Sequence, residues 1–155
     1  MQILSVLARK TKTFIGLENE QKFEFIQAFI YSGMYRAFIL FVPFNKLRKR
    51  MGKHKQESLE SVDIEVYKKA SHISWVVTLI SSKTPWESKC LVQALTAQKM
   101  LKIKGISTTI YLGVRKEGNE MKAHAWLRCG EYYVTGGAIR NQYTIVAKFT
   151  NQDEL

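Results

Sequence analysis

The chain has 155 residues, a formal net charge of +11, and 46% hydrophobic against 24% charged residues. That length and balance fit one globular domain with a real core and exclude a disordered or low-complexity chain. The positive field favours an acidic partner, whether nucleic acid, an anionic membrane or an acidic peptide, and composition does not choose among them.

The start, "MQILSVLARKTK", lacks the continuous apolar core of a signal peptide, and two cysteines, Cys90 and Cys129, make no disulfide framework. A reducing cytoplasm is the expected location. The ending "QDEL" resembles an endoplasmic-reticulum retention signal, which means nothing for a chain that stays outside the secretory path.

From Phe23 to Val42 runs "FEFIQAFIYSGMYRAFILFV". Glu24 and Arg36 would each be costly at membrane depth, so the stretch is predicted as a buried, very apolar helix ending before Pro43. Its aromatic richness suits a cover over the core or a docking face, and transient membrane contact stays open. The next segment, "NKLRKRMGKHK" at 45–55, holds six Lys and Arg in eleven positions. Such a run reads as a solvated helix face or linker, or as a docking feature. "HKQESLES", 54–61, is polar and aperiodic and is predicted as a hinge. It would separate an N-terminal helical region, 1–53, suited to partner docking, from a core at 62–155, all within a single domain.

A second helix is predicted from the spacing of Ile64, Val66, Tyr67, Ala70, Ile73, Ser74 and Val77. "SSKTPW" breaks it, because Pro85 disfavours helical geometry at Thr84. "ESKCLVQALTAQKMLKIKG" follows as a third helix with Leu91, Ala94, Leu95, Gln98, Leu101 and Lys102 on one side and Gly105 as its stop. The period then changes to two: "ISTTIYLGV" is a strand, "RKEGNE" a turn, "MKAHAWLR" and "EYYVT" a hairpin, and "YTIVAKF", 143–149, a last strand.

Cys90 thus falls in the first turn of a helix, where orphan backbone N–H groups and the helix dipole favour a thiolate and can hold an oxyanion. A cysteine opening a helix, followed by a histidine on a later antiparallel strand, is the order in which many thiol peptidases and acyl-transferring enzymes build their dyad. A buried cysteine can equally be a small core residue.

Residues 88–137, "SKCLVQALTAQKMLKIKGISTTIYLGVRKEGNEMKAHAWLRCGEYYVTGG", resemble the transglutaminase-like cysteine peptidases of lasso-peptide biosynthesis. The matching features are Cys90-Leu91, Gly105, Gly113-Val114, Ala123-His124-Ala125-Trp126 and Gly136-Gly137. "PFNKLRKRMG", 43–52, matches more loosely. The resemblance implies an α+β, papain-like or transglutaminase-like fold: N-terminal helices, then a central helix bearing Cys90 packed on an antiparallel sheet bearing His124. It implies removal of the leader from a ribosomally made precursor, freeing an amine for ring closure by a separate ATP-dependent macrolactam synthetase. Cys90 would be the nucleophile and His124 the base and then the acid. A separate leader-recognition protein would deliver the leader peptide.

The family's third catalytic residue is an aspartate on the strand after "HAW", and this chain departs from that pattern. If Cys129-Gly130 is a two-residue turn, Arg128 pairs with Glu131, Trp126 with Tyr133 and His124 with Thr135. Thr135, or a backbone carbonyl, is then the expected orienting group. A three-residue turn would bring Gly136 opposite instead. Glu131 reads as a hairpin-end partner of Arg128.

Trp86, just before the Cys90 helix, and Trp126 are candidates to line a substrate cleft, while Trp75 and Trp126 read equally as core. Cys129 is expected at or near the surface. A zinc site from Cys90, His124, Cys129 and His72 is rejected for want of paired ligand spacing, and neither metal nor cofactor is expected. His54 and His72 show no neighbours that suggest chemistry. No nucleic-acid recognition motif is present. The rivals to a leader peptidase are an amide-hydrolysing or acyl-transferring enzyme of the same fold and a catalytically idle leader- or partner-binding scaffold.

Overall fold

The segment from Cys90 to Ile103 is apolar nearly all round, and it forms the helix about which the other elements pack. In a computed structural model, which describes residues 12 and 15–152, the helices are α1 (Asn19–Phe41), α2 (Phe44–Arg48), α3 (Ile64–Ser81) and α4 (Cys90–Ile103). The strands are β1 (Lys53–His54), β2 (Thr109–Glu117), β3 (Glu120–Cys129), β4 (Tyr132–Thr135) and β5 (Thr144–Thr150), with a 3-10 turn at Gly137–Gln142 before β5. They pair antiparallel in the order β1-β5-β2-β3-β4. The molecule is α+β, with helices layered on one face of the sheet.

Helix α4 buries Ala94, Leu95, Gln98 and Leu101 of the side predicted from spacing, and Val92, Thr96, Ala97 and Met100 besides, while Leu91 is half-buried and Lys102 exposed. Gly105, at φ +72°, ends it: the Ile106 amide donates back to Leu101 O and the Gly105 amide to Lys102 O, a reversal that needs left-handed backbone. The chain then returns along α4 as β2.

One core joins Phe25 and Ala28 of α1, Leu47 of α2, Met51, Ile73 of α3, Leu95 and Leu101 of α4, and Ile110, Leu127 and Phe149 of the sheet. The described part of the N-terminal region, with α1 and α2, therefore shares its core with the rest. The hinge expected at 54–61 is corrected. His54 belongs to β1 and pairs with Phe149, Ser58 is buried against Thr109 Oγ1, and Glu57 meets Arg128 and Lys148. Polar composition suggests solvent, but the His54 backbone, the Glu57 carboxylate and Ser58 have partners far along the chain.

The first helix is also corrected, since only one side of α1 is buried. Phe25, Ala28 and Tyr35 face the core while Phe23, Ile30 and Phe41 are exposed. Glu24, itself buried, accepts from Lys104 Nζ at 2.7 Å and lies 2.6 Å from His72 Nε2. Burial alone would raise its pKa, but the bonds to Lys104 and His72 outweigh that and hold it below the ordinary carboxylate value. Glu24 lies 48 positions from His72, so nothing adjacent in the sequence points to this contact.

Candidate active site

Alternation along β3 divides its side chains between two environments. Ala125, Leu127 and Cys129 enter the core under the helices. His124, Trp126 and Arg128 occupy the other face, where the His124 ring stacks on Trp126 at 5.7 Å and meets the Tyr143 ring at 5.0 Å. Trp126, 3% exposed, stacks in turn on Tyr111. Beside this layer is an open pocket of about 430 Å³ whose lining includes Trp126, Tyr133, Arg140 and Tyr143.

Among the described residues the histidine has one hydrogen-bond partner, and it is not Thr135. The turn falls at Gly130-Glu131 rather than Cys129-Gly130, so Cys129 pairs with Tyr132 and Arg128 with Tyr133. An irregularity between Leu127 and Arg128 then shifts the register further, placing Thr135 opposite Leu127. The expected Thr135–His124 pairing is thereby corrected. Among the described residues Thr135 Oγ1, which is buried, has no hydrogen-bond partner. His124 Nε2 instead lies 2.7 Å from the carbonyl oxygen of Gly136. A carbonyl can only accept, so Nε2 carries the proton, and in the neutral ring Nδ1 is left as the basic nitrogen.

Gly136 holds this arrangement in two ways. Its φ is +67°, which L side chains rarely adopt. A Cβ there would lie 2.5 Å from Ala125 O and 3.1 Å from His124 Nε2, inside the bond it makes.

Cys90 is the first residue of α4 and is half-buried against the edge of the core. The loop before it is fixed: Trp86 lies on Phe29 and its Nε1 donates to Ser32 Oγ, while Glu87 pairs with Arg36. Trp86 therefore packs on α1 and is not among the residues that line the pocket beside Trp126.

The chain reverses at Gly105 into β2, whose Gly113 pairs with His124. Helix α3 is tied to the end of the sheet, as Tyr67 Oη accepts from the Glu131 amide and Ser74 Oγ donates to Val134 O. Among the described residues no hydrogen bond joins Cys90 and His124, and alternation along β3 sets the His124 ring on the face opposite the core side chains Ala125 and Leu127.

Cys129 was expected near the surface and is fully buried. Burial pushes its thiol up, against a smaller opposing effect of Arg128, which makes it unreactive. Arg128 pairs with Glu57 rather than Glu131, whose side chain is exposed. Trp75 is half exposed, edge-on to Phe25.

Comparison with curated proteins and with solved structures gave no match. A family model described as the transglutaminase-like superfamily matches residues 38–148, which spans α4, all of β2 to β4, His124 and Gly136. With well over half of its length matched, the chain belongs to the transglutaminase-like superfamily.

Proposed function

We propose that this protein is a cysteine peptidase that removes the leader from a ribosomally synthesised lasso-peptide precursor. The observation that carries the reading is the His124 ring, held through Nε2 by Gly136 O with Nδ1 left basic, in a chain whose transglutaminase-like match spans both His124 and the Cys90 that opens α4. Nδ1 takes the thiol proton, Sγ attacks the scissile carbonyl, and the first amides of α4 receive the developing oxyanion. The imidazolium protonates the leaving amine, and water then resolves the thioester. Catalytic hydrogen bonds often close only when substrate is bound, and this reading requires Cys90 Sγ and His124 Nδ1 to be brought together at that stage. A separate leader-recognition protein presents the leader, the ATP-dependent macrolactam synthetase consumes the freed amine, and the work is done in the cytoplasm. The same acyl-enzyme, met by an amine in place of water, would give acyl transfer.

The decisive experiment mixes the purified chain, a leader-binding partner and a precursor peptide, and follows product masses for wild type and Cys90→Ala. Wild type is expected to release leader and core, and Cys90→Ala to release neither. Cleavage that survives the substitution removes Cys90 as nucleophile. Amine-adduct masses in place of hydrolysis products would identify the protein as a transferase.

A second reading, a catalytically idle scaffold that presents the leader, is favoured by one feature: His124 is bonded to a backbone carbonyl and not to a carboxylate. Leader binding without cleavage by the wild type would establish it.

A further inference from the structure

Every exposed residue of α1 between Phe23 and Phe41 is apolar, including Phe23, Ile26, Ile30, Leu40 and Phe41. The two charges in that stretch are turned inward or paired, Glu24 with Lys104 and Arg36 with Glu87. The result is a charge-free outward strip about 27 Å long, ending in Phe41, 82% exposed, and Phe44, 50% exposed. Contiguous exposed apolar surface of this extent marks an interaction site.

What adjoins the strip indicates its occupant. From Ala37 to Gln56 there is no acidic residue, while Lys46, Arg48, Lys49 and Arg50 follow Phe44 directly and are all exposed. Apolar and aromatic side chains bordered by a cluster of cations form the pattern of a helix lying in the plane of a bilayer surface, with the cations at anionic headgroups. Crossing the bilayer is not required, and among the described residues no helix is long and apolar enough to do so. A second copy of the chain is a poor occupant, since each carries +11 and pairing would set like fields together.

We propose that the outward face of α1 and the cationic segment after it bind an anionic lipid surface. The peptidase would then act beside a membrane while its Cys90 and His124 elements stay in water.

The test is co-sedimentation of the full chain with phosphatidylcholine vesicles containing or lacking phosphatidylglycerol. Binding is expected only to the anionic vesicles and to weaken as salt rises. Ile30→Glu and Phe41→Glu, both at exposed positions, are each expected to weaken it tenfold or more with an unchanged thermal midpoint. Each Lys→Gln change at Lys46 or Lys49 is expected to weaken it about fivefold. The proposal is overturned by no vesicle binding, by equal binding to neutral vesicles, or by undiminished binding of Phe41→Glu. It is overturned also if the strip instead holds a second copy or a protein partner, seen as association that Phe41→Glu abolishes without any vesicle binding.

Discussion

Leader removal by a His124→Ala variant is expected to be slower than wild type by about 10²–10⁴-fold, the usual contribution of a positioned acid–base group. The loss should fall on kcat, because in the proposed mechanism the ring acts on the proton of the thiol and on the leaving amine rather than on the remote parts of the peptide. Two neighbouring substitutions separate orientation from chemistry. Gly136→Ala leaves both reacting groups in place but forces a Cβ into the 3.1 Å space before Nε2 and strains a backbone at φ +67°. It is expected to lower kcat at least tenfold. Thr135→Val removes a hydroxyl that has no hydrogen-bond partner, so neither rate nor stability should fall. Steady-state cleavage rates measured by product mass check all three. A rate loss in Thr135→Val with Gly136→Ala unaffected would reverse the assignment of the orienting group.

The second large effect is on stability. Arg128, 7% exposed, donates to Tyr111 Oη, to the carbonyls of Leu59, Gly130 and Ser58, and to Glu57. It thus ties the 57–59 segment to β3. Burial would lower its pKa, but Tyr111 and Glu57 more than offset this and the guanidinium is held charged. Burial likewise pushes the Tyr111 phenol up, so it stays protonated and neutral. Arg128→Ala leaves those acceptors without their donor. Breaking a fully buried pair costs about 3–5 kcal/mol, and the partial exposure of Glu57 and its second bond to Lys148 place this case at the low end. Arg128→Ala is expected to lower stability by about 3 kcal/mol, or Tm by roughly 6–12 °C. Thermal unfolding of the two proteins measures it, and a Tm change under about 2 °C would show that the segment is held by other contacts.

The elements around Cys90 and His124 were legible because their signals are local. Gly105 ends a helix, the period changes from 3.6 to 2 just after it, and "RKEGNE" marks the turn, which closes at 118–119 with Arg115, Lys116, Glu117 and Glu120 already in strands. The hairpin register was not, because it depends on a choice between two adjacent glycine turns and on an irregularity at Leu127/Arg128. Each shifts the partner of His124 without changing the composition of either strand. The tie at 57–59 was hidden for another reason. Its partner, Arg128, lies about seventy positions away, and polar sequence read alone looks like solvent-facing loop. The outward face of α1 was misread because apolar content reports hydrophobicity and not which neighbour is there to cover it.

The central claim is that Cys90 and His124 act as a pair although no hydrogen bond joins them in the resting structure. It is tested most directly by the rate at which iodoacetamide alkylates the native protein at pH 7, followed by intact mass. Wild type is expected to gain one adduct, at Cys90, with the fully buried Cys129 untouched, and His124→Ala to react tenfold or more slowly. Equal rates in the two proteins would contradict the pairing.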